Sequence, residues 1–287
     1  MFKNIFELLS QTIIGIFYLN KAKHSAKNKL LIVITAIWLT LKYYTVNKIK
    51  KITQEKILRF KISFFDYGTF HFLFREVFLR NQFYFESRKK DPLILSCGSN
   101  IGLEVIYFKW LYPKATIICF EPDLTTFRLL QKNIKENNLD KVYLYNKALS
   151  DRSEKISFYI DNSHPGWLTM STIKSRMPKD KIIIQAEPLS KYINKKVVDF
   201  LAMDIEGSEG KVFEELKKSK KISLIKKMLI EYHHNINNKA KLSDFLRILE
   251  INGFDYRLSS VSESLNKENT CQDILIYAQN RLLNIVT

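Results

Sequence analysis

Three carboxylates and a glycine crowd into eight residues of this chain, Ala202-Met203-Asp204-Ile205-Glu206-Gly207-Ser208-Glu209. The segment reads as the end of an apolar strand opening into a helix. Asp204, Glu206 and Glu209 gathered there repel one another unless a cation or a proton sits among them. A sulfonium, a metal ion or a transferable proton would each satisfy that requirement. Glu231-Tyr232-His233 ends another apolar run, so Asp204, Glu206 and His233 are the candidate general bases. For His233 and the adjacent His234, solvated loop histidines just past a strand are the competing reading. A divalent ion on Asp204 and Glu206 is a further reading, although hard cations take more oxygen ligands than the sequence identifies.

Two more signals lie upstream. Ser96-Cys97-Gly98-Ser99-Asn100-Ile101-Gly102 joins a strand to a helix, and a turn of small residues lets a ligand approach the backbone and the free amides of the helix start. Phe120-Glu121-Pro122 ends the next strand, with Glu121 23 residues after Gly98. In nucleotide-binding α/β folds a carboxylate about 20 residues on accepts the ribose hydroxyls. Ribose recognition fits a dinucleotide cofactor and S-adenosylmethionine alike.

These residues need elements to hold them. From Asp91 onward apolar runs alternate with helical patterns: Leu93–Cys97, helix 101–111, Thr116–Phe120, helix 124–137, Val142–Tyr145. Such a βαβαβ order predicts a parallel sheet with helices on its faces. A detour follows, with strands at 156–160 and 182–184 around a loop carrying His164, Pro165, Gly166 and Trp167. That loop reads equally as a substrate-facing element, whose aromatic ring could stack on a sugar, and as a structural turn with a packed Trp. The alternation resumes with strand 197–203, helix 208–218, strand 227–231, helix 239–252 and closing strands near Tyr256 and at 274–277.

The span from about Thr69 to Tyr277 resembles the FkbM family of S-adenosylmethionine-dependent methyltransferases. The resemblance rests on Arg75-Glu76-Val77-Phe78 before Phe83-Tyr84-Phe85, Cys97-Gly98-Ser99-Asn100-Ile101-Gly102, Phe120-Glu121-Pro122, Asn133-Ile134 through Asn137, Ala148-Leu149-Ser150-Asp151, Asp204-Ile205-Glu206-Gly207-Ser208-Glu209 and Glu231-Tyr232-His233, in this order. It implies an α/β fold of class I methyltransferase type, Rossmann-like, with a seven-stranded mostly parallel sheet and helices on both faces. It also implies O-methylation of a hydroxyl on a sugar, glycan or similar small molecule. Gly98, Asn100 and Gly102 would shape the methionine-binding turn, Glu121 would hold the ribose, and Ser150 and Asp151 would lie near the adenine. Asp204 and Glu206 would face the reacting centre, with Glu231 and His233 at the next strand end. Ser96 stands where the family pattern has Asp, near the amino group of the cofactor. Replacing a charge-assisted contact by a hydroxyl costs on the order of 1–2 kcal/mol, about tenfold in affinity.

The rest of the chain carries most of the charge. The net charge is +17, and residues 1–90 hold 17 basic and 5 acidic side chains against 29 and 24 in residues 91–287. Lys outnumbers Arg 36 to 10, whereas the Arg fork suits bidentate recognition of phosphates and bases. No Asn/Asp-Pro-Pro-aromatic tetrad occurs, which argues against base methylation of nucleic acid and leaves 2′-O-methylation of RNA open. The domain reading is a basic, apolar helical extension (1–63), a methyltransferase domain (64–280) and a tail (281–287). Residues 5–19 have helical spacing, and a Lys-flanked apolar run covers Leu30–Leu41. For that run an ordinary buried helix is the first reading, a membrane-surface helix the second and a bilayer span the third. On the second reading, an anionic membrane surface is a partner of residues 1–60. The aromatic stretch 64–85 reads mostly as core. Cys97, Cys119 and Cys271 are far apart and match no zinc spacing, as expected of buried thiols in the cytoplasm. The competing functional class is a catalytically inactive, membrane-associated protein that keeps the fold.

Overall fold

Each apolar run that the sequence places between turn residues becomes a strand, and the two halves of the chain use them differently. The computed structural model describes residues 14–236, 241–260 and 272–284, and it divides into two compact units. Cys271 and residues 5–13 of the first expected helix lie outside the described residues; residues 14–21 are helical.

The first unit comprises the described residues up to Glu86 with Ile101–Leu111 and Arg128–Leu139. Its long helix α1 (Ala26–Tyr44) starts where the Ser25 hydroxyl accepts from the Asn28 amide, 3.2 Å. A hairpin of β1 (Gln54–Ile57) and β2 (Phe60–Ser63) follows, which the sequence pattern does not announce. Helix α2 (Tyr67–Phe74) is capped by Asp66, which accepts from the Thr69 amide at 2.7 Å, and it runs into a π-helical turn, Arg75–Leu79. Helices α3 (Leu103–Leu111) and α4 (Leu124–Glu136) complete the helical set, α4 entering this unit from Arg128 onward. The aromatic stretch packs as core: Phe64 stacks on Phe70 at 4.2 Å, Phe74 on Phe78 at 5.2 Å, and Phe78 meets Tyr107 edge-on. Phe72 is the member left exposed.

The first reading of Leu30–Leu41 needs correction. Ile32, Ala36, Leu39 and Thr40 are buried, but Leu30, Leu31, Ile34, Ile37, Trp38 and Leu41 point outward and are exposed. The helix is apolar nearly all round and only one side finds protein to pack on.

The second unit holds a seven-stranded sheet of order β11-β12-β10-β9-β3-β4-β5, with β3 (Leu93–Cys97), β4 (Thr116–Phe120), β5 (Val142–Tyr145), β9 (Phe200–Met203), β10 (Lys227–His234), β11 (Phe254–Ser260) and β12 (Gln272–Asn280). The strands from β5 to β10 are parallel, and β12 is antiparallel to both β10 and β11. This is the seven-stranded, mostly parallel sheet expected. Chain order runs outward from β3 through β4 and β5 on one side and through β9 and β10 on the other. The strand order therefore reverses between β3 and β9, where open α/β sheets bind ligands at their carboxyl ends. Helices α5 (Glu209–Lys218) and α6 (Leu242–Ile251) belong to this half. The detour forms a separate sheet in which β8 (Asp180–Glu187) lies between β6 (Ala148–Leu149) and β7 (Glu154–Ile160). Cys97 and Cys119 are buried thiols outside any disulfide.

Candidate active site

The reversal point is closed by backbone. The Asp204 amide donates to the Cys97 carbonyl at 2.9 Å, and the Gly98 and Ser99 amides both donate to the Phe120 carbonyl, at 3.0 and 2.9 Å. Gly98 has φ +87, and a Cβ built on it would lie 1.8 Å from the Asp204 carbonyl oxygen. Only glycine lets the turn after β3 pass so close to the end of β9.

Glu121 is buried and its two oxygens bind the two turns beside it: Oε2 accepts from the Asn100 amide at 2.9 Å and Oε1 from the Asp123 amide at 3.0 Å. Asn100 in turn donates from Nδ2 to the Gly166 carbonyl at 3.4 Å, which brings the His164–Trp167 loop to the turn, with Trp167 exposed. Ser96 is buried, its hydroxyl 2.7 Å from that of Ser99. Ser150 donates to Asp151 at 3.1 Å just past β6. Gly102, in the first unit, lies under Leu130. Asn100 is thus bonded to Glu121 and Gly98 abuts Asp204, whereas Ser150 and Asp151 contact one another.

The catalytic candidates converge. Glu231 and His233 alternate along β10 and so share a face, and the antiparallel register sets His233 opposite Asp273 on β12. Parallel pairing places Ile230 beside Met203, which brings Asp204 and Glu206, just past β9, to the same edge. His233 is 1% exposed, far from a solvated loop residue. Its Nε2 lies 3.2 Å from Glu206 Oε2 and 3.8 Å from both Asp204 Oδ1 and Asp273 Oδ1. Its Nδ1 lies 3.1 Å from Glu209 Oε1, an oxygen that also accepts from the Gly207 amide at 3.0 Å. Arg176, from the detour, donates from Nε to Glu206 Oε2 at 2.7 Å and approaches Asp273 with Nη2 at 3.4 Å. Glu206 is held at φ 53, a backbone state costly for a non-glycine residue. The Ser171 hydroxyl secures it by donating to the Glu206 carbonyl.

Charge crowding shifts these groups. Burial and the neighbouring Glu206 carboxylate raise the pKa of Asp204, and burial raises that of Glu206 against the pull of His233 and Arg176. Burial, with Asp204 nearby, pushes Glu231 up to about 8. For His233 burial acts downward, but the surrounding carboxylates, Glu209 foremost, outweigh it and raise the imidazole well above its usual range. Asp204 combines a fully buried Oδ1 with a side chain 41% exposed overall, so its outer oxygen faces solvent.

A family model described as the methyltransferase FkbM domain matches residues 96–258. The chain belongs to the FkbM methyltransferase family. It is accordingly an S-adenosylmethionine-dependent methyltransferase. Methyltransferase 1 of Beauveria bassiana is 25% identical over 209 residues, covering 64% of this chain and 80% of that protein. The 2-O-methyltransferase NoeI of Sinorhizobium fredii is 30% identical over 142 residues, 43% of this chain and 57% of its own length. The solved structure of a methyltransferase FkbM from Methylobacillus flagellatus is 16% identical with a TM-score of 0.45, and covers 71% of this chain and 47% of that one.

The FkbM site accommodates the cofactor's chemistry. The turn at Gly98 closes against the Asp204 carbonyl with no side chain between them, and the acidic surplus around Asp204 suits a sulfonium. Sequence reasoning missed Arg176 and Asp273 and gave Glu209 no orienting role. Their partners lie 30, 40 and 24 residues or more away along the chain. The one signal available for Asp273 was its place at the start of the last apolar strand.

Proposed function

We propose that the chain transfers a methyl group from S-adenosylmethionine to a hydroxyl oxygen of a sugar, glycan or similar small molecule, and that the carboxylate cluster around His233 receives the hydroxyl proton. The observation that carries this reading is the split character of Asp204, with one oxygen buried against His233 and the other open to an incoming acceptor. When bound, S-adenosylmethionine supplies the methyl group, the electron pair of the broken S–C bond staying on sulfur. Gly98, Asn100 and Gly102 shape the methionine turn. Glu121 holds the ribose, a carboxylate having about four acceptor positions. Ser150 and Asp151 stand at the adenine, and Ser96 serves the amino group through a hydroxyl rather than a charge.

In-line displacement draws much of its rate from positioning. Asp204 takes the acceptor proton on its outer oxygen, Glu206 is fixed by Arg176, and Glu209 fixes the imidazole of His233. Trp167, exposed on the loop that reaches Asn100, offers a face for a sugar ring. The name of NoeI, a 2-O-methyltransferase, favours oxygen as the acceptor atom. The inactive alternative is disfavoured, because a relic of the fold has no need of a strained Glu206 and a buried histidine set among carboxylates. Incubation with methyl-labelled S-adenosylmethionine and a panel of sugar and lipid-linked glycan hydroxyls tests the reading. Label transferred by the wild type and lost in Asp204→Asn supports it; label in neither, with cofactor binding intact, removes hydroxyl transfer to this class.

The exposed face of α1 supports a cytoplasmic enzyme that rests on an anionic membrane. Leu30, Ile34, Ile37, Trp38 and Leu41 recur at helical spacing, and Lys23, Lys27, Lys48, Lys50 and Lys51 are exposed at the two ends. The stretch Ala26–Ile49 is long and apolar enough to cross a bilayer. Its opposite side argues for lying on the surface: Thr40 Oγ1 is 2.8 Å from His71 Nε2, and the Leu39 carbonyl accepts from Tyr67 at 3.1 Å, contacts a span would forfeit.

A further inference from the structure

His233 Nε2 is a fully buried ring nitrogen with no hydrogen-bond partner, and it points into oxygens. A carboxylate can only accept, so the 3.1 Å contact with Glu209 keeps a ring proton on Nδ1, and Nε2 is the nitrogen through which the ring can ligate a cation in exchange for its own proton. Nε2 faces Glu206 Oε2 at 3.2 Å and the oxygens of Asp204 and Asp273 at 3.8 Å. Asp204 Oδ1 is likewise buried and without a hydrogen bond. Three carboxylate oxygens converging on one buried ring nitrogen offer a donor set for a cation.

We propose that Asp204, Glu206, His233 and Asp273 form a binding site for one divalent transition-metal cation. Ligand atoms about 2.1 Å from a metal lie about 3.0–3.4 Å apart at tetrahedral or octahedral angles; the Nε2 to Glu206 separation of 3.2 Å falls in that range, and those to Asp204 and Asp273, at 3.8 Å, close to it by side-chain rotation. Asp204, Glu206 and His233 offer ligand atoms within 4.8 Å of one another, and so do Glu231, His233 and Asp273, with His233 shared. One imidazole with several carboxylates suits Mn²⁺ or Zn²⁺ better than Ca²⁺. Glu209 behind Nδ1 supplies the carboxylate–histidine–metal arrangement that fixes the tautomer of a ligating ring. Arg176 Nε holds Glu206 Oε2 at 2.7 Å and so fixes where that carboxylate stands. The cation's task, lowering the pKa of an acceptor hydroxyl, rests on the proposed reaction; its binding does not.

The test uses the full chain stripped with EDTA and dialysed, then titrated with MnCl₂ near pH 7.5 by calorimetry and by loss of the free-Mn²⁺ electron paramagnetic resonance signal. One equivalent bound at micromolar concentration is expected, weakened at least tenfold in His233→Ala and in Asp273→Asn. The Asp273 side chain is 42% exposed, so that variant keeps the fold if the histidine variant does not. Glu214→Gln, on α5 away from the cluster, is expected to bind as the wild type does. Zn²⁺ or Mg²⁺ displacing Mn²⁺ identifies the preferred ion within the site. Absence of saturable binding below millimolar Mn²⁺, or equal binding in both cluster variants, overturns the site. Methyl transfer that persists in the stripped protein overturns the cation's role while leaving the hydroxyl-transfer reading intact.

Discussion

Glu209 Oε1 meets His233 Nδ1 at 3.1 Å, and the same oxygen accepts the amides of Gly207 at 3.0 Å and Ile205 at 3.3 Å. One carboxylate thereby fixes both the imidazole at the end of β10 and the backbone that carries Asp204 and Glu206. In Glu209→Gln the carbonyl oxygen can still accept the two amides while the charge that fixes the imidazole is gone. Turnover is expected to fall about 10–100-fold, with S-adenosylmethionine affinity changed less than threefold. Steady-state kinetics beside a calorimetric titration check this, and a matched loss of affinity would make Glu209 a structural residue only.

Gly98→Ala sets a methyl group against the Asp204 carbonyl at a backbone angle that disfavours side chains. The expected cost is on the order of 2–4 kcal/mol, with cofactor binding lost even where the variant folds. Urea unfolding and titration of the surviving protein measure the two effects separately.

How legible was this site beforehand? The strands β3, β4 and β5 match their apolar runs to the residue, because each is short, continuous and bounded by turn residues. Asp204, Glu206 and His233 were found for the same reason, each standing at a strand end where its type has no packing role. Asp273 was not, because it joins the cluster only through the antiparallel register of β12, and Arg176 comes from a loop whose path no periodicity encodes. Which side of α1 stays exposed is not legible in its sequence. An apolar run does not say which of its sides meets protein, and here Ile32, Ala36 and Leu39 do while Ile34 and Trp38 do not.

The first unit contains its own acid-sensitive contact. His71 is buried beside Thr40, and burial, aided by the charge of Arg75, lowers its pKa to about 4. The unfolded chain takes up the proton first, near pH 6.5, so stability is full above that value and falls as the pH drops toward 4. The loss at pH 5 is about 2 kcal/mol. Urea denaturation at pH 7.5 and pH 5, in wild type and His71→Gln, is expected to show this increment only where the histidine is present.

Membrane association is expected to depend on one helix face. Sedimentation with vesicles containing phosphatidylglycerol should carry down the wild type at low salt, less at high salt, and not the double variant Ile34→Glu, Trp38→Glu. Neutral phosphatidylcholine vesicles binding equally well would remove the electrostatic half of the reading.

The central claim is that the turn after β3, bonded to Glu121, is a donor site for S-adenosylmethionine. Calorimetric titration of S-adenosylmethionine into the full chain and into Glu121→Gln tests it most directly, with thermal unfolding of both proteins as the check on folding. The account predicts saturable binding by the wild type and affinity reduced at least tenfold in a variant that is still folded at the titration temperature, its melting temperature lowered because Gln leaves one of the two buried amides without an acceptor. No binding by the wild type at millimolar cofactor, or equal affinity in the two proteins, would contradict it.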